Sequence, residues 1–310
     1  MPIVARRKVV FCKIEAVYGT DPVPVAATDA MLVSNFKCTP VEAQYVERNT
    51  DLPFFGNQGQ IKAGDYMKME YDIEAAGAGA VASAPGYGPA LKGCALSETI
   101  TPITGPATYA PISSGAQSVT KYFYWDGLLH KMLGALGSPS LKFAKGGVPM
   151  IHIAWTGLYG GITDVALPVP TLTAFQKPLA VNKANTTFSL HGYAAPLADL
   201  SIDFGNDIKY DNKPNQEVVR FLDRKVKGSV TIELPLIATK DYFTTVRAET
   251  TGALALTHGI VAGNKAIVAA PAVQLTNPQY SESDGVGMLQ MTMEIKPTAA
   301  GNDEVTYATQ

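Results

Sequence analysis

Four histidines (His130, His152, His191 and His258) and three cysteines (Cys12, Cys38 and Cys94) have the widest chemical repertoire of any side chains in this 310-residue sequence. Their spacing fits none of the recognised centres. No two histidines stand as in the helical His-Glu-x-x-His zinc motif, and no Cys-x-x-Cys pair is present. A Gly-x-Ser-x-Gly elbow is missing, and the small-residue run Gly77 to Ala80 lacks the Gly-Lys-Ser/Thr ending that a phosphate loop needs. Asp211, Asn212, Asn215 and Glu217 gather oxygens, but without the alternating ligands and central glycine of a calcium loop. The cysteines are odd in number and far apart, which fits small apolar core residues in a reducing compartment better than a disulfide framework. The sequence therefore points to no enzyme, no metal and no cofactor.

Bulk composition points the same way. Apolar residues make up 46% of the chain, but charged residues only 17%, against roughly 25% in an average domain. Part of the surface is thus expected to meet other protein. A formal charge of -2 lacks the basic imprint of a protein that grips phosphates. No apolar run reaches the roughly 18 to 20 residues of a membrane span, and Lys13 and Glu15 interrupt the stretch that follows Arg6, Arg7 and Lys8. A non-secreted protein without a membrane partner is expected.

The elements that would position any site are mostly strands. Tyr66 to Glu74 alternates Met67, Met69, Tyr71 and Ile73 with Lys68, Glu70, Asp72 and Glu74, so one face is buried and the other is wet and acidic. At an offset of 159 residues Val226, Gly228, Val230 and Ile232 repeat the pattern, and Val41, Ala43 and Tyr45 are matched by Leu200, Ile202 and Phe204. Two β units of similar plan follow: 36–165 and 197–297, preceded by an extended arm (1–35), separated by a linker (166–196) and followed by a polar, mobile tail (298–310). In the first unit Asp126-Gly127 reads as a type I′ hairpin turn between 118–126 and 128–133, and 140–144 and 148–155 make another hairpin. Short helices are expected at 87–96 and, capped by Thr239, at 239–248. Two projecting loops, 49–64 and 211–222, carry Phe54, Phe55 and Asn57 in the first and Asp211 and Asn215 in the second. Adjacent aromatics in a glycine-rich loop suggest contact with another molecule.

Several stretches resemble the major tail tube proteins of long-tailed, siphophage-type bacteriophages and prophages. They are EAVYGTDPVPV with DAMLVSN (15–35), TPVEAQYVER (39–48), AFQKPLAVNKANTTFSLHGY (174–193), IATKDYF (237–243), TTGALALTHG (250–259) and VQLTNP (273–278). The resemblance implies a mainly β protein with two tandem tube-type domains, each a β-sandwich or partly closed barrel with a flanking short helix and a long projecting loop. It further implies rings stacked into the hollow virion tail, assembled in the host cytoplasm around a tape-measure protein. Tail terminator and distal tail proteins would meet the tube ends, and DNA would pass through without being held.

A duplicated chain fills two places around such a ring, so a trimer with pseudo-sixfold symmetry is expected; a hexamer follows if only one unit lines the channel. A conduit for DNA should avoid phosphate clamps. The candidate lumen residues are accordingly Lys68, Glu70, Asp72, Glu74, Lys227 and Glu233, with the two lysines pairing acids on neighbouring subunits. The same alternation also fits an ordinary solvated face. Phe54, Phe55, Asn57, Asp211 and Asn215 are the candidate contacts between rings. Alternative readings are another virion protein, such as a tail terminator or head decoration protein, and a carbohydrate-binding β-sandwich using Trp125, Trp155 and Tyr122 to Tyr124 as a platform.

Overall fold

A computed structural model describes residues 3–310, and they form a mainly β protein with two short helices. The first part of the chain runs β1 (Lys8–Ile14), β2 (Ala30–Met31), β3 (Ser34–Glu47), β4 (Gln60–Glu74), α1 (Gly88–Lys92), β5 (Leu96–Ile100), β6 (Ala107–Pro111), β7 (Val119–Trp125), β8 (Leu128–Ala144) and β9 (Met150–Asp164). The second runs β10 (Thr186–Leu190), β11 (Leu197–Asp203), β12 (Asn206–Lys213), β13 (Gln216–Arg224), β14 (Lys227–Glu233), α2 (Tyr242–Arg247), β15 (Thr251–His258), β16 (Ala266–Ser283), β17 (Val286–Lys296) and β18 (Thr306–Thr309). Sixteen strands join one antiparallel sheet, and β12 and β13 form a separate hairpin. Among the described residues the ladder never closes into a barrel.

Alternation explains the layering. Met67, Met69, Tyr71 and Ile73 of β4 are buried, as are Ile151, Ile153 and Trp155 of β9 and Val230 and Ile232 of β14. They join one core that extends through both parts of the chain. The sheet curls over this core: β7 and β3 are separated by three strands along β7-β8-β9-β4-β3, yet Phe123 and Phe36 stack with ring centroids 4.0 Å apart. The hairpin turn at Asp126-Gly127 forms as its sequence dictates, both residues taking positive φ (42° and 113°). Asp241, two residues beyond the expected cap, caps α2 by accepting a hydrogen bond from the Thr244 backbone N–H.

The two parts follow the same strand path. In the first it is β1-β7-β8-β9-β4-β3, and in the second β10-β15-β16-β17-β14-β11, with a helix after β4 and after β14. The gapless offset of 159 is corrected by the pairing. Lys68 and Lys227 lie 159 apart, but their partners Thr39 and Asp203 lie 164 apart. Five more residues lie between the paired positions Thr39 and Lys68 than between Asp203 and Lys227, so Phe36 and Cys38, not Val41 and Ala43, occupy the places of Leu200 and Ile202. Burial agrees: Leu200 and Ile202 are 0% exposed, while Val41 is 46% and Tyr45 57% exposed.

Other expectations are corrected by long strands. Residues 128–133 and 140–144 are one bent strand, β8, and the segments expected at 265–269 and 273–276 are one strand, β16. Gly134, Pro139, Pro271 and Pro278 signal breaks in sequence but only bend or bulge these strands. Gly134 takes φ 56° beside the Tyr18 ring, whose nearest atom lies 2.7 Å from where a Cβ would sit. Pro139 lacks an N–H but turns its carbonyl to the Phe204 N–H.

The N-terminal stretch expected as an arm packs β1 between β2 and β7 of its own sheet, with Val10, Phe11 and Cys12 buried; residues 1–2 lie outside the described residues. The linker contains β10. The tail expected to be mobile ends in β18, inserted between β16 and β6, with Tyr307 buried against Tyr87. Short apolar pairs such as Tyr307-Ala308 give too brief a pattern to reveal a strand.

Candidate functional site: a continuous polar face and two projecting hairpins

Register carries the candidate lumen residues onto one surface. Residues paired across a ladder share a face, and one row runs Asp72, His152, Ser140, Asp203, Lys227, Glu294 through six strands. This row crosses from the first part of the chain to the second where β8 pairs with β11. Lys68 and Glu70 lie on the same side of β4, as does Glu74, and Glu233 lies on the same side of β14. All six residues singled out from sequence thus share one face of one eight-stranded stretch, β3-β4-β9-β8-β11-β14-β17-β16.

Acids outnumber lysines on this face. Glu42, Glu70, Asp72, Glu74, Asp199, Asp203, Glu233 and Glu294 stand against Lys37, Lys68, Lys142, Lys227 and Lys296. Periodicity within single strands could not reveal Asp199, Asp203 and Glu294 as members, because their place depends on which strands become neighbours.

Ion pairs within the chain take up several of these charges. Lys37 Nζ lies 2.6 Å from Glu70, and hydrogen bonding to that carboxylate pushes the lysine pKa up. His152 Nδ1 lies 2.7 Å from Asp72, which also accepts from the Asn35 amide. Lys68 pairs with Glu42 and Lys227 with Glu294, each at 3.1 Å. Both lysines thus have partners across their own ladders within the chain. Exposed pairs of this kind contribute at most about 1 kcal/mol; their effect here is to leave no unpaired row of cations. Glu74, Asp199, Asp203 and Glu233 have no ion-pair partner among the described residues.

Two hairpins project from this sheet. The segment expected as a loop at 49–64 is the tip of the β3–β4 hairpin, whose ladder continues out to Glu47 and Gln60. Phe54 and Phe55 stand exposed at that tip, the latter fully. The segment 211–222 is not a loop but most of the β12–β13 hairpin, turning at Asn215 (φ 70°). Asp211 is held inside it by Lys213 and Arg220, both at 2.9 Å, and these hydrogen bonds lower its pKa. The two hairpins touch: Tyr210 stacks on Tyr66 at 4.7 Å. Sequence missed the β12–β13 ladder because Val218 and Leu222 fall on one face of β13 and Val219 and Phe221 on the other, which leaves no clean alternation.

The residues with chemical potential are structurally occupied. His258 Nε2 faces the Leu179 carbonyl and Nδ1 the Thr186 hydroxyl, and His191 Nε2 faces the Val273 carbonyl. Burial lowers the pKa of both, and of His130. Burial likewise pushes the Cys38 thiol up to about 12 and the Cys94 thiol higher still. Lys121 is buried, its ammonium 2.7 Å from Tyr71 Oη and 3.5 Å from the centre of the Trp155 ring. Of the aromatic residues proposed as a sugar platform, Trp155, Tyr122, Phe123 and Tyr124 are buried and Trp125 is half-buried.

A β protein with a broad, polar, sheet-wide face, projecting hairpins and its titratable groups engaged in packing belongs to the class of structural proteins. The sequence model of the phage tail tube protein family matches residues 5–296, and the chain belongs to that family. It is a structural component of the virion tail, from a family of tube proteins rather than of enzymes. A comparison with curated proteins finds no match.

Proposed function

We propose that this chain builds the wall of a siphophage-type, non-contractile tail tube as a trimeric ring of pseudo-sixfold symmetry, stacked into the conduit through which DNA leaves the virion. The observation that carries this reading is the shared strand path of the two parts of the chain, β1-β7-β8-β9-β4-β3 and β10-β15-β16-β17-β14-β11. One chain then contributes two copies of a tube domain, with the division near residues 165 and 197. Three chains supply six copies around an axis.

In this reading the continuous acidic face lines the channel. Its carboxylates repel phosphate, and Lys37, Lys68 and Lys227 are neutralised by neighbours, so DNA slides without being retained. The tape-measure protein occupies the same channel during assembly in the host cytoplasm, and terminator and distal proteins close the ends. The hairpin tips, with Phe54, Phe55, Asn57 and Asn215, reach the next ring, and Asp211 stiffens the second hairpin through its ion pairs.

Electron microscopy of the purified chain tests the assembly. End views are expected to show six similar densities, while mass measurement of single rings gives three chains. Six chains per ring would contradict the duplication; soluble monomers or capped single rings at high concentration would favour a terminator or decoration role. Converting Glu70, Asp72 and Asp203 to lysine tests the lumen. Tubes of that variant should bind DNA in a salt-sensitive way that wild-type tubes do not, and unchanged behaviour would place the face on the outside.

A further inference from the structure

Within the chain, the two parts are joined by an edge-to-edge ladder. The C-terminal end of β8 pairs with β11 through Ser140↔Asp203, Leu141↔Ile202, Lys142↔Ser201 and Phe143↔Leu200. Backbone bonds from Phe204 N–H to the Pro139 carbonyl and from Lys145 N–H to the Ala198 carbonyl continue it. By strand path, the counterpart of β8 is β16 and the counterpart of β11 is β3. Neither counterpart has this partner. Among the described residues β3 pairs only with β4, and β15 covers β16 only as far as Gln274, leaving the edge from 276 to 283 open. Unpaired edges of this kind are templates for another strand.

We infer that the open edge of β16 receives the open edge of β3 from a second copy of this chain, repeating between chains the joint that β8 and β11 make within one. This inference rests on the tube reading above and names the strands that make its ring. The register follows from rows shared by the two parts. Leu141, Ile151 and Ile73 are paired in one, and Tyr280, Leu289 and Ile232 in the other; Ile73 and Ile232 stand at the 159 offset. Tyr280 therefore takes the place of Leu141, and Pro278 falls on Pro139. On the other side, Cys38 takes the place of Ile202 and Phe36 that of Leu200. The new ladder reads Cys38↔Tyr280, Lys37↔Ser281 and Phe36↔Glu282.

The backbone is free to make it. Gly287 and Ile295 of β17 exchange bonds with β14, so Met288 and Gln290, of opposite parity, address β16 through Ser281 and Gln279. Tyr280 and Glu282 consequently turn their N–H and C=O groups to the open edge. By the same parity, Ala75 bonds toward Pro149 beside β9, so Lys37 and Thr39 bond β4 while Phe36 and Cys38 face out. The ladder stops at Pro40 opposite Pro278, where neither residue has an N–H. Burial marks the missing cover: Leu141 is 2% exposed, whereas Tyr280 is 71% exposed. Each chain has one open edge of each kind, so chains add head to tail, and a closed ring leaves neither of these two edges unpaired.

Lys37 and Ser281 would be a non-hydrogen-bonded pair, with Cβ atoms roughly 4.5 to 5.5 Å apart, a separation that a disulfide closes with a small adjustment. The test is the full chain carrying Lys37→Cys and Ser281→Cys with Cys38→Ser, assembled and mildly oxidised. Non-reducing electrophoresis should show most chains as covalent dimers and trimers, with no species beyond the closed trimer, and the shifted pair Lys37→Cys with Glu233→Cys should stay monomeric. Tyr280→Pro, which removes an N–H that β17 does not use, should abolish rings while leaving a folded monomer, and Tyr280→Phe should retain them. Rings that form without the 37–281 bond, or that tolerate Tyr280→Pro, overturn this joint and leave the tube reading standing. An unaltered chain that never forms rings overturns the tube reading and the joint with it.

Discussion

β11 and β3 occupy the same place in their strand paths and have opposite fates. β11 is paired on both edges, and Leu200 and Ile202 are sealed in the core. β3 is paired on one edge, and Phe36 and Cys38 remain partly exposed. Similar residues in similar positions are thus buried or not according to whether the chain itself supplies the neighbouring strand. The difference teaches that stability and assembly are separable here: the joint at β11 is intramolecular and stabilises the monomer, and the equivalent place at β3 contributes only once a second molecule arrives.

The largest expected effect follows directly. Ile202→Ala removes buried methyl groups from a packed seam and should cost about 2 to 5 kcal/mol, read as a lowered urea midpoint of the monomer. Cys38→Ala, at the corresponding place in β3, should cost less than about 1 kcal/mol while reducing ring yield. Equal losses of monomer stability would show that position within the strand path, rather than the second pairing, determines burial.

The two projecting hairpins give a second contrast. Deleting Asp51 to Gln60 removes the exposed Phe54 and Phe55 tip and should leave a folded subunit that no longer polymerises. Tubes of normal length in negative stain would reject the tip as a contact. Tyr210→Ala acts at the hairpin root instead, where the ring stacks on Tyr66, and a lost aromatic pair is worth about 0.5 to 1.5 kcal/mol. A modest drop in stability with retained assembly is expected there.

How much of this was legible in the sequence depended on the range of the signal. The alternation of Met67 to Ile73 and the Asp126-Gly127 turn are local, and both gave the right element. The acidic side of β4 was also local, and the six candidate lumen residues do share a face. What sequence could not give was register: Asp203 and Glu294 join that face through pairings between distant strands, and Lys68 and Lys227 find their partners Glu42 and Glu294 the same way. Local breakers misled in the long strands, because the missing N–H of Pro139 and Pro278 would point away from the hairpin ladder and is dispensable for it. The 159 offset failed in β3 because its hairpin with β4 is longer than the β11–β14 connection, which changes residue count without changing the path.

The smallest expected effect separates the two parts of the chain by pH. Burial lowers the pKa of His191 and His258, which brace β10, β15 and β16, and of His130 in the first part. A histidine whose folded pKa lies below its unfolded value of about 6.5 binds its proton more readily when unfolded. Its contribution to stability is therefore intact above about pH 6.5 and declines as the pH falls from there through the folded pKa. His258 makes the cause concrete: Nε2 donates to the Leu179 carbonyl while Nδ1 accepts from the Thr186 hydroxyl, and an imidazolium has no lone pair left to accept with. Hydrogen exchange compared at pH 7 and pH 5 should thus show the β10–β15 pair losing protection before the β1–β7 pair, and His258→Gln should reduce that difference. Uniform loosening of both pairs, or no change in the His258→Gln variant, would mean that the two parts respond to acid as one unit.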